Sequence, residues 1–162
     1  MAKAFRIADA LSAEDLSGVR MLFKAYAASL PIDLGYQDFA EELAGLPGKY
    51  APPHGALLLA RDEDRTPLGC VALRPLSEAE CCEMKRLYLL PAARGRGLGR
   101  ALAEAAIGAA RRIGYRELRL DTLTGMAEAR ALYAQLGFRP IPPYYAPTPP
   151  GTVFLSRTLT QS

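Results

Sequence analysis

Residues 87–100 are Leu87-Tyr88-Leu89-Leu90-Pro91-Ala92-Ala93-Arg94-Gly95-Arg96-Gly97-Leu98-Gly99-Arg100, an apolar run followed by a glycine- and arginine-rich turn. The apolar run predicts a strand, and the glycines predict a turn that opens directly into a helix. Free amides at a helix N-terminus and the positive end of the helix dipole bind anions. Glycine lets the backbone approach such a ligand, and arginine adds charge-assisted hydrogen bonds to phosphate. The stretch therefore predicts a pyrophosphate-binding site.

Two other phosphate-binding motifs do not fit this stretch. A P-loop requires Gly-Lys followed by Ser or Thr, and the chain has no such run. A dinucleotide fingerprint requires a glycine three places after Gly97, where Arg100 stands, near the start of a βαβ unit. A turn that served only chain geometry would leave its arginines without a role.

Hydrophobic patterning predicts one α/β domain over residues 1–162, with a mixed sheet. The order is β, α, α, three antiparallel strands, then α, β, α, β. The predicted strands cover residues 5–8, 56–60, 68–73, 81–90, 117–120 and 153–155, and the predicted helices cover residues 12–29, 36–44, 97–113 and 127–136.

Composition argues against several classes of protein. A net charge of +3 is too small to indicate nucleic-acid binding. No stretch reaches the roughly 20 apolar residues of a membrane span, and residues 1–10 lack a signal peptide, which predicts a cytoplasmic protein. The three cysteines, Cys70, Cys81 and Cys82, lack zinc-ligand spacing and are interpreted as reduced thiols in strands or core, so no metal is predicted.

At this point the chain resembles a known family. Arg94-x-x-Gly97-x-Gly99 matches the Gln/Arg-x-x-Gly-x-Gly/Ala signature of the GNAT N-acetyltransferases. Residues 85–91 resemble the fourth strand of that family, and residues 129–138 resemble its second hallmark. The resemblance implies the GNAT fold, a mixed and mostly antiparallel sheet of six to seven strands with helices on both faces. Its fourth and fifth strands are expected to splay apart.

The resemblance also implies acetyl-CoA (coenzyme A) as co-substrate. Its pantetheine arm is expected in the gap between the splayed strands, where the backbones of Leu87 and Leu89, with Tyr88 between them, bind it as a pseudo-strand. The pyrophosphate is expected to bind the backbone amides of Arg94, Gly95, Arg96, Gly97, Leu98, Gly99 and Arg100.

Two side chains are candidates for the chemistry that the resemblance implies. Tyr133 stands where the family often places a general acid for the departing CoA thiolate, and its alternative role is core packing. Glu83 is the candidate base for the acceptor amine, which is mostly protonated at pH 7. A solvated strand carboxylate and catalysis by ordered water are the alternatives for Glu83. Met126 stands where family members often carry a cofactor-contacting asparagine.

The predicted activity is direct transfer of an acetyl group to a primary amine in a ternary complex. The acceptor is a small molecule, or a peptide or protein amine. Residues 30–38 and the proline-rich residues 138–151, with Tyr144 and Tyr145, are expected to flank it. The alternative is a non-catalytic acyl-CoA-binding sensor. A homodimer would fit the family, although no feature of the sequence requires one.

Overall fold

The structure is a computed structural model that describes residues 4–159, without the side chains of Tyr36 and Gln37. The elements in chain order are β1 (Phe5–Asp9), α1 (Ala13–Ser29), α2 (Phe39–Ala44), β2 (Ala56–Asp62), β3 (Pro67–Pro75), β4 (Cys81–Leu89), α3 (Leu98–Ile113), β5 (Glu117–Leu123), α4 (Ala127–Gln135), β6 (Arg139–Ile141) and β7 (Thr152–Thr158). Short 3₁₀ turns cover Leu34–Gln37, Gly48–Tyr50 and Pro91–Ala93.

Within residues 4–159, seven strands form one sheet in the order β1-β2-β3-β4-β5-β7-β6. The β4–β5 pair is parallel, and the other neighbouring pairs are antiparallel. The predicted fold class is therefore confirmed. Strand β6 was not predicted. The predicted helix over residues 36–44 is divided into a 3₁₀ turn and α2 because Asp38 takes a left-handed φ of 56°.

The parallel pair opens along its length. Pairing between β4 and β5 joins Cys81 to Glu117, Cys82 to Leu118 and Glu83 to Arg119. Beyond that point β4 continues beside β3, and β5 continues beside β7. The predicted splay is present, and it leaves the later half of β4 with an edge that faces a gap.

A β-bulge lies where β4 leaves β5. The register between β3 and β4 shifts between Cys70 and Ala72, whose partners are Tyr88 and Lys85. Two residues of β4, Arg86 and Leu87, therefore oppose one residue of β3. Arg86 has a φ of 63°, in the left-handed region. A bulge bends a strand and increases its twist, which accounts for the divergence of β4 from β5.

Helices cover both faces of the sheet. Alternation along β2 sends Leu58 to the face that packs against α3 and Leu57 to the face that packs against α1. Helix α1 contributes buried side chains such as Phe23, and α3 contributes side chains such as Leu102. Each fully buried side chain of this size contributes about 1.5–3 kcal/mol through removal from water.

Three further observations bear on the sequence predictions. Cys70, Cys81 and Cys82 are buried free thiols, as the sequence predicts. None of the described helices is both long enough and apolar enough to span a bilayer. Helix α1 begins where the predicted helix over residues 12–29 starts, and the Ser12 hydroxyl caps it by accepting a hydrogen bond from the Asp15 amide at 3.0 Å.

Candidate active site

A cavity of about 330 Å³ occupies the gap between the splayed strands. Its walls come from the later half of β4, the end of β5, the turn before α3, and α4. Of the predicted site residues, the described walls include Leu87, Tyr88, Leu89, Arg94, Gly95, Gly97, Leu98, Gly99 and Tyr133, whereas Glu83, Arg96 and Arg100 lie outside them.

The glycine turn requires its glycines for backbone conformation. Gly95 has a φ of 81° and Gly97 has a φ of 77°, and residues other than glycine rarely adopt such backbone angles. A Cβ built at either position would meet no described atom within 4 Å, so space there is ample. Gly97 is also the N-cap of α3 and supplies no side-chain hydrogen bond to the first turn. The first-turn amides of α3 therefore have no side-chain acceptor at the N-cap position.

The three arginines of the turn hold protein groups. Arg94 donates from Nε and Nη2 to the Leu89 carbonyl at 3.2 and 3.0 Å, and its guanidinium lies 5.7 Å from the Tyr88 ring centroid. Arg96 donates to the Ala92 carbonyl at 3.2 Å. These contacts fold the turn back onto the end of β4.

Arg100 points away from the cavity. It forms an exposed ion pair with Glu104 at 2.7 Å and donates to the Gln135 side chain at 3.3 Å. An exposed pair of this kind contributes little to stability, so the side chain is available for other partners at small cost.

Tyr133 lies on α4 at the cavity wall and is 7% exposed. Its ring packs edge-on against Phe138, with centroids 5.7 Å apart. Burial raises the pKa of Tyr133 well above its usual value, so the hydroxyl stays protonated and able to donate. The packing role is therefore present, and it leaves the ring at the wall of the cavity.

Glu83 is fully buried, so its interpretation as a solvated strand carboxylate is wrong. Arg74 Nε donates to one carboxylate oxygen at 2.7 Å, and the Tyr144 hydroxyl donates to the other at 2.5 Å. Burial acts to raise the pKa of Glu83, but the charges of Lys85 and Arg74 and these hydrogen bonds outweigh burial and lower it. The base role of Glu83 stays a prediction.

The end of β5 contributes Asp121 and Thr122 to the cavity wall, and Met126, the N-cap of α4, lies beside them in the wall. The Tyr145 hydroxyl donates to Asp121 Oδ2 at 2.5 Å. Thr122 contacts the Met126 sulfur at 3.7 Å. Asp121 and Thr122 therefore line the gap near the end of β5.

A second cavity, of about 400 Å³, lies on the other side of β4. Its described walls combine α2, the turn before β2, strands β3 and β4, and the proline-rich loop: Asp38, Glu41, Glu42, Gly45, Pro47, Gly48, Lys49, Tyr50, Arg74, Lys85 and Tyr145. Asp38 and Tyr145 of this wall come from the two segments, residues 30–38 and 138–151, that are predicted to flank the acceptor. The sequence analysis did not identify Lys49, Tyr50 or Arg74. Charged residues inside β3 and β4 were the available signal.

Lys85 belongs to the walls of both cavities. Its side chain is 8% exposed, and its Nζ lies 3.7 Å from a Glu83 oxygen and 4.0 Å from an Asp121 oxygen. Burial is the largest influence on the pKa of Lys85 and lowers it, although both carboxylates act in the opposite direction. The sequence analysis included Lys85 only as the first residue of the stretch 85–91, which resembles the fourth strand of the family.

A buried ion pair fixes the wall between β4 and α2. Arg86, at the bulge, donates from Nε and Nη2 to the two Glu42 oxygens, each at 2.9 Å. Its guanidinium also lies 5.3 Å from the Phe39 ring centroid. The bidentate pair compensates two buried charges and holds α2 against the bulge.

A cluster of possible metal ligands, Glu78, Cys81 and Glu117, lies at the closed end of the β4–β5 pair. Arg119 donates to both carboxylates, and the Cys81 thiol donates to each of them at 3.2 Å. Burial and these hydrogen bonds raise the pKa of Cys81 to about 12. A charge-compensated cluster with a protonated thiol serves as a structural clamp.

Residues 20–138 match the model of the Acetyltransferase (GNAT) family. The chain belongs to this GNAT acetyltransferase family. An uncharacterized N-acetyltransferase of Schizosaccharomyces pombe is 42% identical over 142 residues, which cover 88% of this chain and 87% of that protein.

Solved structures share the GNAT fold of this chain. A GNAT-family acetyltransferase from Staphylococcus aureus superposes with a TM-score of 0.80 at 18% identity, covering 97% of this chain and all of the other. The PaiA N-acetyltransferase of Thermoplasma acidophilum, solved in complex with coenzyme A, superposes with a TM-score of 0.73 at 20% identity over 96% and 99% of the two chains.

Proposed function

We propose that this GNAT acetyltransferase transfers an acetyl group from acetyl-CoA to a primary amine of a small molecule or peptide, directly and in a ternary complex. One observation carries the proposal. The glycine turn and the unpaired edge of β4 line the same cavity of about 330 Å³. A helix terminus and a strand edge are the two backbone features that a pyrophosphate joined to an amide-containing arm requires.

The residues of the first cavity fit coenzyme A. Gly95 and Gly97 leave open space above the turn, where the pyrophosphate would approach the amides of residues 94–100. The backbones of Leu87 and Leu89, with Tyr88 between them, are proposed to bind the pantetheine arm. The coenzyme A complex of the PaiA structure supports this proposal at the level of the fold.

Tyr133 is the proposed proton donor to the departing thiolate. Its raised pKa keeps the proton on the phenol until the carbon–sulfur bond breaks. A thiol is already a fair leaving group, so the donor accounts for about one or two orders of magnitude in rate. Glu83 is proposed for the acceptor half of the reaction, either as the base itself or through Lys85, whose Nζ lies 3.7 Å from the Glu83 carboxylate.

The acceptor is proposed to occupy the second cavity. The second cavity meets the first at Lys85. Two substrates that react directly with each other must bind in adjoining sites. Cytoplasmic location and a homodimer stay predictions.

The test is thiol release from acetyl-CoA across a panel of amines and peptides. Release with at least one acceptor, and a melting temperature raised by coenzyme A, are expected. Coenzyme A binding without thiol release across the whole panel would instead indicate a sensor, and absence of both would refute the proposal. A Tyr133→Phe variant that binds coenzyme A normally but turns over more slowly separates catalysis from binding.

A further inference from the structure

Lys85 is the one residue that the described walls of the two cavities share. It lies on β4 two residues beyond Glu83, the last β4 residue paired with β5. Lys85 therefore stands at the junction of the two cavities, and its Nζ lies 4.0 Å from Asp121, a wall residue of the first cavity.

The charges that face Lys85 come from three strands, and the carboxylates act on it more strongly than the guanidiniums. Strand β4 contributes Glu83 and Arg86, β5 contributes Asp121, and β3 contributes Arg74. Two carboxylates and two guanidiniums thus surround the amine. The carboxylates favour the charged amine, but burial, together with the two guanidiniums, outweighs them and lowers the pKa of Lys85.

Both carboxylates near Lys85 already have other donors. Glu83 accepts hydrogen bonds from Arg74 and from the Tyr144 hydroxyl. Asp121 accepts one from the Tyr145 hydroxyl. Neither carboxylate depends on a Lys85 proton for its hydrogen bonding. Burial lowers the pKa of Lys85, which brings this amine closer to the pH at which the enzyme works.

We infer that Lys85 is a catalytic residue that accepts the proton of the acceptor nitrogen, an inference that rests on the proposed function. The acceptor nitrogen forms a bond to the thioester carbon and loses one proton to the neutral Lys85 amine. The carbon–sulfur bond breaks, and Tyr133 gives its proton to the departing sulfur. Lys85 then releases its proton to water and Tyr133 regains one, so the products are an amide and a free thiol.

With Lys85 as the base, Glu83 does not need a free carboxylate oxygen, which agrees with its burial and with its hydrogen bonds to Arg74 and Tyr144. The Glu83 carboxylate is held by Arg74 and the Tyr144 hydroxyl, and a carboxylate is a weak base towards an amine, whereas the amine of Lys85 is better matched. Glu83 then acts as a positioning residue that orients Lys85 from 3.7 Å and stabilises its protonated form.

The experiment compares Lys85→Met and Lys85→Arg with the wild type, using the best acceptor from the amine panel. Lys24→Met is the matched control, since Lys24 is exposed on α1 and outside both cavity walls as described. We expect kcat/KM at pH 7 to fall about 10²–10³-fold in both Lys85 variants, the usual range for a lost proton acceptor. Arginine keeps the charge but cannot give up its proton, so it should not rescue activity.

The pH profile separates a proton acceptor from a structural lysine. In the wild type, kcat/KM should rise with an apparent pKa below the ordinary lysine value. In Lys85→Met it should instead follow the free-amine fraction of the acceptor, and the deficit should shrink as the pH approaches the acceptor's own pKa. A wild-type profile with an acceptor of low pKa tests the same point if the variants do not fold, because the Lys85 ionisation should remain visible.

Three results would overturn the inference. They are a Lys85→Arg variant within threefold of the wild type, a pH profile unchanged in Lys85→Met, and acetylation of Lys85 on the timescale of turnover with acetyl-CoA, which would make it a nucleophile. If the wild type releases no thiol with any amine, the proposed function itself has failed. If the wild type is active and Lys85→Met is equally active, the failure belongs to Lys85 alone.

Discussion

The two cavities that meet at Lys85 are built in different ways. The first takes eight of its described wall residues from one short stretch, residues 87–99, and the key glycines of that stretch are defined by their backbone φ angles. The second takes its wall from side chains of α2, β3, β4 and the proline-rich loop, which lie far apart in the sequence. A site built from contiguous backbone leaves a motif, and a site built from distant side chains does not.

The difference matches the demands of the two proposed ligands. A pyrophosphate and an amide-containing arm are the same in every reaction with coenzyme A, and backbone groups serve them with few requirements on side chains. An acceptor differs from one enzyme to another, and side chains such as Arg74 and Tyr145 can change without altering the backbone of the turn. Under the proposed function, the first cavity therefore indicates the reaction, and the second determines the acceptor.

The largest expected effect comes from breaking the ion pair that supports the second cavity. Arg86→Met leaves the Glu42 carboxylate, which is only 15% exposed, without its bidentate partner, which costs about 3–5 kcal/mol. For a chain of this size we expect a melting temperature roughly 6–20 °C lower in a thermal denaturation scan. The double variant Arg86→Met/Glu42→Leu should recover part of the loss. Equal melting temperatures for Arg86→Met and the wild type would show that the pair does not support this wall.

The next effect tests the backbone character of the first cavity. Gly97→Val places a β-branched residue at a φ of 77°, which strains the turn by about 1–3 kcal/mol and misaligns its amides. We expect kcat/KM for acetyl-CoA to fall about 10²-fold while the KM of the acceptor changes little.

Gly108→Ala is the matched control for Gly97→Val. Gly108 lies within α3, where a Cβ would contact only the flexible end of Arg112, at 3.4 Å. Alanine in a helix interior should stabilise the protein by about 0.5–1 kcal/mol and leave the kinetics unchanged. A larger kinetic loss in this control than in Gly97→Val would remove the special role of the turn.

Tyr133 belongs to the first cavity through a side chain, and it gives the third effect. Tyr133→Phe keeps the ring contact with Phe138 and removes the proton donor. We expect kcat to fall about 10- to 100-fold, with unchanged affinity for coenzyme A measured by calorimetry. A loss of affinity without a loss of kcat would assign the hydroxyl to binding.

The sequence predicted the first cavity because its evidence is local. The turn at Gly95 and Gly97, the strand before it and the hallmark around Tyr133 are each readable from short spacings. The bulge at Arg86 is not readable, because an extra residue in β4 is defined only against the register of β3. Strand β6 was also missed, since three residues that include Pro140 carry no strand pattern.

Long-range contacts account for the rest of what the sequence did not predict. Glu83 was a candidate from its position on β4, but its burial depends on Tyr144, which lies 61 residues away in the chain. Lys85 stands at the junction of the cavities because β4 and β5 separate after Glu83 and because the proline-rich loop folds back over the sheet. Rings of Tyr144 and Tyr145 hold that loop by packing against Phe154, with centroids 5.0 and 5.2 Å away.

The smallest effect tests whether the side-chain wall of the second cavity selects the acceptor. Tyr145→Phe removes the hydrogen bond of its hydroxyl to Asp121 and keeps the ring against Phe154. A hydrogen bond of this kind contributes about 0.5–1.5 kcal/mol net, so we expect the KM of the acceptor to rise about threefold to tenfold. The KM of acetyl-CoA should stay within twofold of the wild-type value.

Tyr115→Phe is the matched control, because the Tyr115 hydroxyl donates to the His54 carbonyl at 2.6 Å and neither cavity wall, as described, includes Tyr115. If Tyr145→Phe raised the KM of acetyl-CoA instead, the loop would serve the first cavity, and the division between a backbone site for the acyl donor and a side-chain site for the acceptor would fail.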